Sequence, residues 1–420
     1  MKLERTTALK FKPIRIKFFC VTVVLVIIGI NLFYLIQIVT ITLNNSNSHI
    51  VTADGFIKGA DFIALWPALK LAVGGLAERA YDSTAIQTIQ QQLTGLNLSG
   101  DRRFLHPPTY LVLLFPLGAI DYINALFIWV LLPTGCFLLV MSRMGLPWML
   151  FILLPLSSAV VQNIAGGQNG TLSAFFLAGA LLNLERRPTI AGIMFGFMTF
   201  KPPLALLIAP TLVLGRQWHA LFTMIITVMV AVAISVCVFG VEPWGAFFHN
   251  LLFAQEQLGH GHLPWQRIPS AFVAARMIGL DTPISLLVQA AIAIAAFAGI
   301  AWTWWRPIRF RLKAALLVAG IPLATPWIHD YDLVILLVAM AWLVLDADRE
   351  QMRSFEIVIL FFAWMFPAVW VNKVMPLEGI PYGFVILLSL YAIIMFRIVR
   401  PCQPALNGPG SKITAYTDQR

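Results

Sequence analysis

Residues 218–240, WHALFTMIITVMVAVAISVCVFG, run from Trp218 to Gly240 without a single Asp, Glu, Lys or Arg. A helix that crosses a bilayer needs roughly 20 apolar residues, so this stretch alone predicts a membrane span. Comparable runs lie near 18–41, 121–142, 147–164, 168–184, 188–201, 203–215, 282–305, 312–327, 329–346, 353–371 and 381–399. They predict an all-α polytopic membrane protein with a bundle of about 12 transmembrane helices. Several of these runs are short, and the pair on either side of Lys201 can also be read as one broken helix. Composition agrees: of 420 residues, 59% are hydrophobic and 11% charged, against about 25% charged in soluble proteins. A soluble enzyme, a nucleic-acid binder, a disordered chain and a disulfide scaffold are all disfavoured. Cys20, Cys136, Cys237 and Cys402 are too far apart to suggest a disulfide framework or a zinc site.

The net charge of +10 reads as membrane orientation rather than as an anionic partner. Residues 1–17 carry Lys2, Arg5, Lys10, Lys12, Arg15 and Lys17 ahead of the first apolar run. That run is too long for a signal peptide and no small-residue cleavage site follows, so it is read as an uncleaved span. With 12 spans, 20 of the 29 Lys and Arg fall on the side of the termini, which the positive-inside rule makes cytoplasmic. The chain thus divides into a basic cytoplasmic N-terminus (1–17), a single transmembrane domain (18–400) and a cytoplasmic tail (401–420). The two long loops, 42–106 and 241–281, fall on the outer face. Long loops in compact proteins tend to carry function, so the working side is expected to be extracytoplasmic, the periplasmic face of a bacterial inner membrane or a eukaryotic lumen. No internal repeat is visible, which gives an inverted-repeat transporter no support.

A few polar residues inside this apolar chain need explaining. Asp61 precedes apolar residues at 62, 65, 66, 69 and 73, a helical spacing that suggests a short amphipathic helix on the membrane surface. There Asp61 is either a helix cap or a functional carboxylate. His106-Pro107-Pro108 opens a dozen-residue apolar segment, too short to span but suited to a re-entrant helix starting at the prolines. His106 itself can simply satisfy local backbone groups. Gly166-Gly167-Gln168-Asn169-Gly170 is either a plain turn or two amides offered to a sugar hydroxyl or phosphate oxygen. Lys201 has about a dozen apolar residues on each side. An intramembrane cation is costly and by default a functional candidate, the alternative being snorkelling to the interface. His329, between Trp327 and Asp330-Tyr331-Asp332, suits acid–base work or phosphate binding, or a plain loop. The second outer loop adds His260, His262, Trp265, Gln266, Arg267 and Ser270, with no third ligand to make a metal site. No G-x-x-x-x-G-K-[ST], G-x-S-x-G or H-E-x-x-H is present.

In order and type, these stretches resemble glycosyltransferase family 87, the polyprenol-phosphate-mannose-dependent α-mannosyltransferases of GT-C fold. The family's Gly-x-Asp-Phe element with a following aromatic and alanine is similar to Gly59, Asp61, Phe62, Trp66 and Ala68, with Tyr81-Asp82 beyond it. Its Tyr-Pro-Pro and Pro-Leu resemble His106-Pro107-Pro108 and Pro116-Leu117. Its Gly-Gln-Asn is Gly167-Gln168-Asn169, its Lys-Pro is Lys201-Pro202, and its late His-Tyr resembles His329-Asp330-Tyr331. In two places the chain departs: His106 replaces the tyrosine, and Asp330 separates His329 from Tyr331.

The resemblance implies transfer of a sugar, mannose in the family, from a polyprenyl-phosphate donor to a hydroxyl of an extracytoplasmic glycolipid, glycan or protein, with inversion. Asp61 would be the general base, with Asp54 as a less favoured substitute. Lys201 and His329, then Arg267, would stabilise the leaving phosphate, with Gln168 and Asn169 binding donor sugar or phosphate. His106, Pro107, Pro108 and Tyr331 would shape the site. A monophosphate leaving group can be handled by side-chain cations, so no metal or other cofactor is required. From another class, the same residues would suit a transporter or flippase of a lipid-linked sugar, or a non-catalytic assembly partner. A transporter needs polar residues on both sides of the midplane, whereas these cluster at one face.

Overall fold

The computed structural model describes residues 28–37, 50–51, 55, 57–98, 103–260, 265–347, 351–366 and 381–400. The basic segment 1–17, most of the first predicted span, Asp54, His262 and the tail 401–420 lie outside the described residues. Among the described residues the chain is helical, with one isolated bridge between Val51 and Ile57 and no strand.

The first part comprises α1 (Ile28–Gln37), α2 (Phe62–Val73), α3 (Ser83–Thr94), α4 (Pro108–Leu114), α5 (Tyr122–Ser142), α6 (Trp148–Ile152), α7 (Ser158–Gly166) and α8 (Gly170–Asn183). The middle holds α9 (Pro188–Met198), α10 (Pro202–Ala205), α11 (Ile208–Leu214), α12 (Trp218–Phe239), α13 (Glu242–His260) and α14 (Ala271–Met277). The last part holds α15 (Thr282–Trp305), α16 (Phe310–Gly320), α17 (Ile335–Asp346), α18 (Ser354–Met365) and α19 (Tyr382–Val399).

Four of these, α5, α12, α15 and α19, are long and apolar enough to cross a membrane by themselves. Other predicted runs are broken into shorter helices, and the breaks have visible causes. The run 147–164 divides into α6 and α7 around Pro155. The chain breaks at Lys201 because Pro202 and Pro203 supply no backbone N–H to continue α9. The helix expected after His106 starts at Pro108, as predicted, but is only seven residues long before a 3-10 turn over Phe115–Ala119.

Helix α2 differs from expectation. Instead of lying on a surface it is packed on several sides, with Phe62, Ile63, Ala68 and Leu69 fully buried. Trp66 Nε1 donates to the Ile120 carbonyl at 3.1 Å, and Gln90 Nε2 donates to the Ile63 carbonyl at 3.0 Å. Gly118 approaches so closely that a Cβ there would lie 2.4 Å from the Leu69 carbonyl oxygen. The segment carrying Asp61 is therefore rigidly held.

The core lies where α8, α16 and α17 pack, with long stretches of each buried. Helix α9 joins α12 through a small-residue stripe. A Cβ on Gly192 would sit 2.5 Å from the Ala220 carbonyl oxygen, and one on Gly196 would sit 2.6 Å from Thr227 Cβ. Close backbone approach of this kind is how helices associate where water supplies no driving force. The loops joining α7 to α8, α9 to α10 and α16 to α17 share one end of this frame.

Candidate functional site

Two glycine turns bring the first two polar stretches together. Gly59 and Gly167 both adopt left-handed backbone, at φ +65° and +64°. Each would drive a Cβ into Leu126, and a Cβ on Gly167 would come within 3.5 Å of Gly59 Cα. The Asp61 N–H donates to the Gly166 carbonyl at 2.9 Å, and Trp129 Nε1 donates to the Gly167 carbonyl at 2.9 Å. Left-handed backbone and this close an approach are available at low cost only to glycine.

Asp61 stands at the N-terminus of α2 but makes no side-chain capping bond. The cap reading is thereby removed. Its carboxylate faces Arg267 instead, at 3.4 Å from a terminal guanidinium nitrogen. The same guanidinium grips Asp330 bidentately, through Nε at 2.8 Å and a terminal nitrogen at 3.1 Å. Burial disfavours the charge on Arg267, but the Asp330 hydrogen bonds and the charges of Asp330 and Asp61 outweigh it, so its pKa is raised.

A second cation lies deeper. Lys201 Nζ is paired with Asp332 and donates to Asn169 Oδ1 at 3.1 Å. It also sits 4.6 Å from the Tyr331 ring centroid, the range of a cation–π contact. The other Asp332 oxygen accepts the His329 backbone N–H at 3.1 Å. The His329 ring stacks on Tyr331 with centroids 5.3 Å apart.

Asn169 extends the chain of bonds to His106, its Nδ2 lying 3.3 Å from His106 Nε2. With Asn169 Oδ1 committed to Lys201, the amide nitrogen must donate, so Nε2 must accept. The other ring nitrogen then carries the proton, which suits the hydrogen bond His106 makes to the Phe200 backbone. Burial and the Lys201 charge together push the His106 pKa down to about 3. Because the unfolded histidine takes up its proton near pH 6.5, the native state loses stability as pH falls from about 6.5 towards 3. Between those values the melting temperature of wild type is expected to fall more steeply with acidification than that of His106→Gln. Thermal melts across that range check this, and equal slopes would contradict it.

The sequence candidates Asp61, His106, Asn169, Lys201, Arg267, His329 and Tyr331 thus form one connected cluster. Pro107 and Pro108 are buried at the start of α4 and frame His106. Gln168 is adjacent, and a Cβ on Gly166 would meet its Cγ at 3.3 Å and Asp61 Oδ2 at 3.0 Å. His262 lies outside the described residues, and among those described no three His, Cys, Asp or Glu side chains gather as metal ligands.

Three further residues carry the geometry. Asp330 and Asp332 were visible only as neighbours of His329, yet each neutralises a cation of the site. Asn163 had no sequence signal beyond being polar within an apolar run. Fully buried, it accepts the Gly170 N–H at 2.6 Å and so caps α8. Gly170 is pressed against the late loop, where a Cβ would lie 2.0 Å from the Tyr331 carbonyl oxygen. Backbone cannot yield as a side-chain tip can. Gly170→Ala is expected to cost about 1–3 kcal/mol of stability and to abolish activity by spreading Asn169 and Asp332, which hold Lys201 between them. A melt of the purified variant checks the first and a turnover assay the second.

In comparison with protein families, the model of glycosyltransferase family 87 matches residues 104–326, more than half of the chain. The chain belongs to glycosyltransferase family 87. No curated protein and no solved structure matches it. Family membership together with the apolar helices makes this a membrane glycosyltransferase, which uses a sugar donor and an acceptor. The matched segment holds His106, Gln168, Asn169, Lys201 and Arg267. Asp61 and the 329–332 loop lie outside it, and the geometry joins them to it through Arg267 and Lys201.

Proposed function

We propose that this family 87 glycosyltransferase moves a sugar, mannose by family resemblance, from a polyprenyl phosphate to a hydroxyl of a glycolipid, glycan or protein. The reaction takes place at the extracytoplasmic face, with inversion and with Asp61 as general base. One observation carries the reading. Of the three carboxylates in the cluster, only that of Asp61 is substantially open, with 27% of its side chain exposed against 5% for Asp330 and none for Asp332. The acceptor hydroxyl would lose its proton to Asp61 as its oxygen bonds to the anomeric carbon. The bond from that carbon to the phosphate oxygen breaks at the same time, and the polyprenyl phosphate departs.

A departing phosphate gains charge that positioned cations stabilise. Arg267, with 31% of its side chain exposed, is more accessible than Lys201 at 8%. Arg267 is therefore favoured for direct phosphate contact, while His329, its pKa pushed down to about 3 by burial and by the Lys201 and Arg267 charges, would offer a neutral hydrogen bond. Lys201, its charge matched by Asp332, holds Asn169 in place from below. The lipid chain would lie in the bilayer while sugar and acceptor meet above it.

The test is transfer of labelled mannose from polyprenyl-phosphate-mannose in membranes containing the protein, with a broad acceptor extract. Label in an extractable product is the expected result. Failure with mannose but success with another polyprenyl-phosphate sugar would correct the donor. Failure with every such donor would turn attention to transport of a lipid-linked sugar.

A further inference from the structure

Helix α13 is not among the spanning helices, and its 19 residues divide into three faces of different chemistry. Residues seven apart on an α-helix lie almost above one another. Phe247, Asn250, Ala254 and Leu258 are buried against the protein. Asn250 Nδ2 donates to the Tyr81 carbonyl at 2.8 Å, and the Phe247 ring lies 6.2 Å from that of Tyr81. The exposed surface then splits lengthwise. One stripe holds Val241 just before the helix, Phe248 and Leu252, the last two 58% and 69% exposed, with Leu251 at its edge and the exposed Gln255 one turn beyond as its polar end. The other, about a quarter turn away, holds Glu242, His249 and Glu256, all exposed and seven residues apart.

How the chain enters this helix is an independent observation. The spanning helix α12 ends at Phe239, and Gly240 turns the chain at φ +81°. Trp244, in the first turn of α13, donates its indole N–H to Ser235 Oγ at 3.1 Å, fastening the start of α13 to the last turn of α12. A spanning helix ends at the bilayer surface, and Trp favours that level. Helix α13 therefore begins at the surface with an apolar stripe on one side and a carboxylate-bearing stripe on the other.

We infer that α13 lies in the plane of the membrane–water interface, with Phe248 and Leu252 in the acyl region of the outer leaflet, Glu242, His249 and Glu256 in water, and the third face on the protein. The partner is the lipid monolayer itself, because only an apolar–aqueous boundary matches two such stripes side by side on one helix. The helix is a monotopic anchor for the loop that continues to Arg267.

Site-directed spin labelling of the full chain in bilayer nanodiscs of phosphatidylethanolamine and phosphatidylglycerol tests this. With the four native cysteines replaced by serine, Phe248→Cys, His249→Cys, Leu252→Cys and Glu256→Cys each carry one nitroxide. The ratio of collisions with oxygen to collisions with a water-soluble nickel chelate is expected to be several-fold higher at 248 and 252 than at 249 and 256. Equal ratios at all four positions would overturn the inference, since the helix would then be wholly in water or wholly in lipid. Exclusion of both reagents from 248 and 252 would also overturn it, because protein rather than lipid would cover the stripe.

Discussion

Asp61→Asn is expected to lower turnover by about 10²- to 10⁴-fold, the range a positioned general base contributes, with little change in the KM for donor. The amide matches the carboxylate in shape but cannot accept a proton from the attacking hydroxyl. Folding should survive. Of the two carboxylates that Arg267 meets, Asp61 is held the more loosely, at 3.4 Å against 2.8 Å and 3.1 Å for Asp330. Both Asp61 and Arg267 are partly exposed, and such pairs contribute about 0–1 kcal/mol. Asp330→Asn is the informative companion. It weakens the bidentate grip that aims Arg267, so donor KM and turnover should both suffer while the base remains. Steady-state transfer kinetics on the two variants separate these effects. An Asp61→Asn enzyme with wild-type turnover would move the base elsewhere.

What the sequence disclosed and what it withheld follow from the range of the interactions involved. The break at Lys201 was legible because Pro202-Pro203 acts on its own backbone neighbours. The helix start at Pro108 was legible for the same reason. Asp61, His106, Asn169 and Lys201 stood out because a polar residue in an apolar chain is costly and demands a reason. Which residues pair with which was not legible. Asp332 meets Lys201 across 131 positions, and Asp61 meets Arg267 across 206. No periodicity reports separations of that size. The burial of α2 was missed for a related reason, since its apolar residues fit a bilayer surface as well as a protein interior. Only the close approach of Gly118 and the hydrogen bonds to Trp66 and Gln90 distinguish the two. The run 203–215 read as one helix because hydropathy records apolarity without recording where the backbone turns, and the chain divides it into α10 and α11.

Lys201→Ala is expected to destabilise the protein by about 3–5 kcal/mol, the cost of leaving a buried charge without its partner. Asp332 is fully buried, and its remaining bond from the His329 N–H does not neutralise it. Loss of activity in this variant would therefore say nothing by itself about catalysis. The double variant Lys201→Met, Asp332→Asn separates the two roles. It removes both charges together, keeps an oxygen for the His329 N–H and fills most of the lysine's volume. Its melting temperature should recover most of the way to wild type, because the desolvation cost of both ions disappears with the attraction between them. Transfer should stay low, because Asn169 has lost the ammonium that fixes its amide. Melting and transfer measured on the single and double variants decide the matter. A double variant that melts no higher than Lys201→Ala would show that the ion pair is not what the single substitution breaks. One that folds and transfers at the wild-type rate would make Lys201 a structural residue and leave the phosphate to Arg267 and His329.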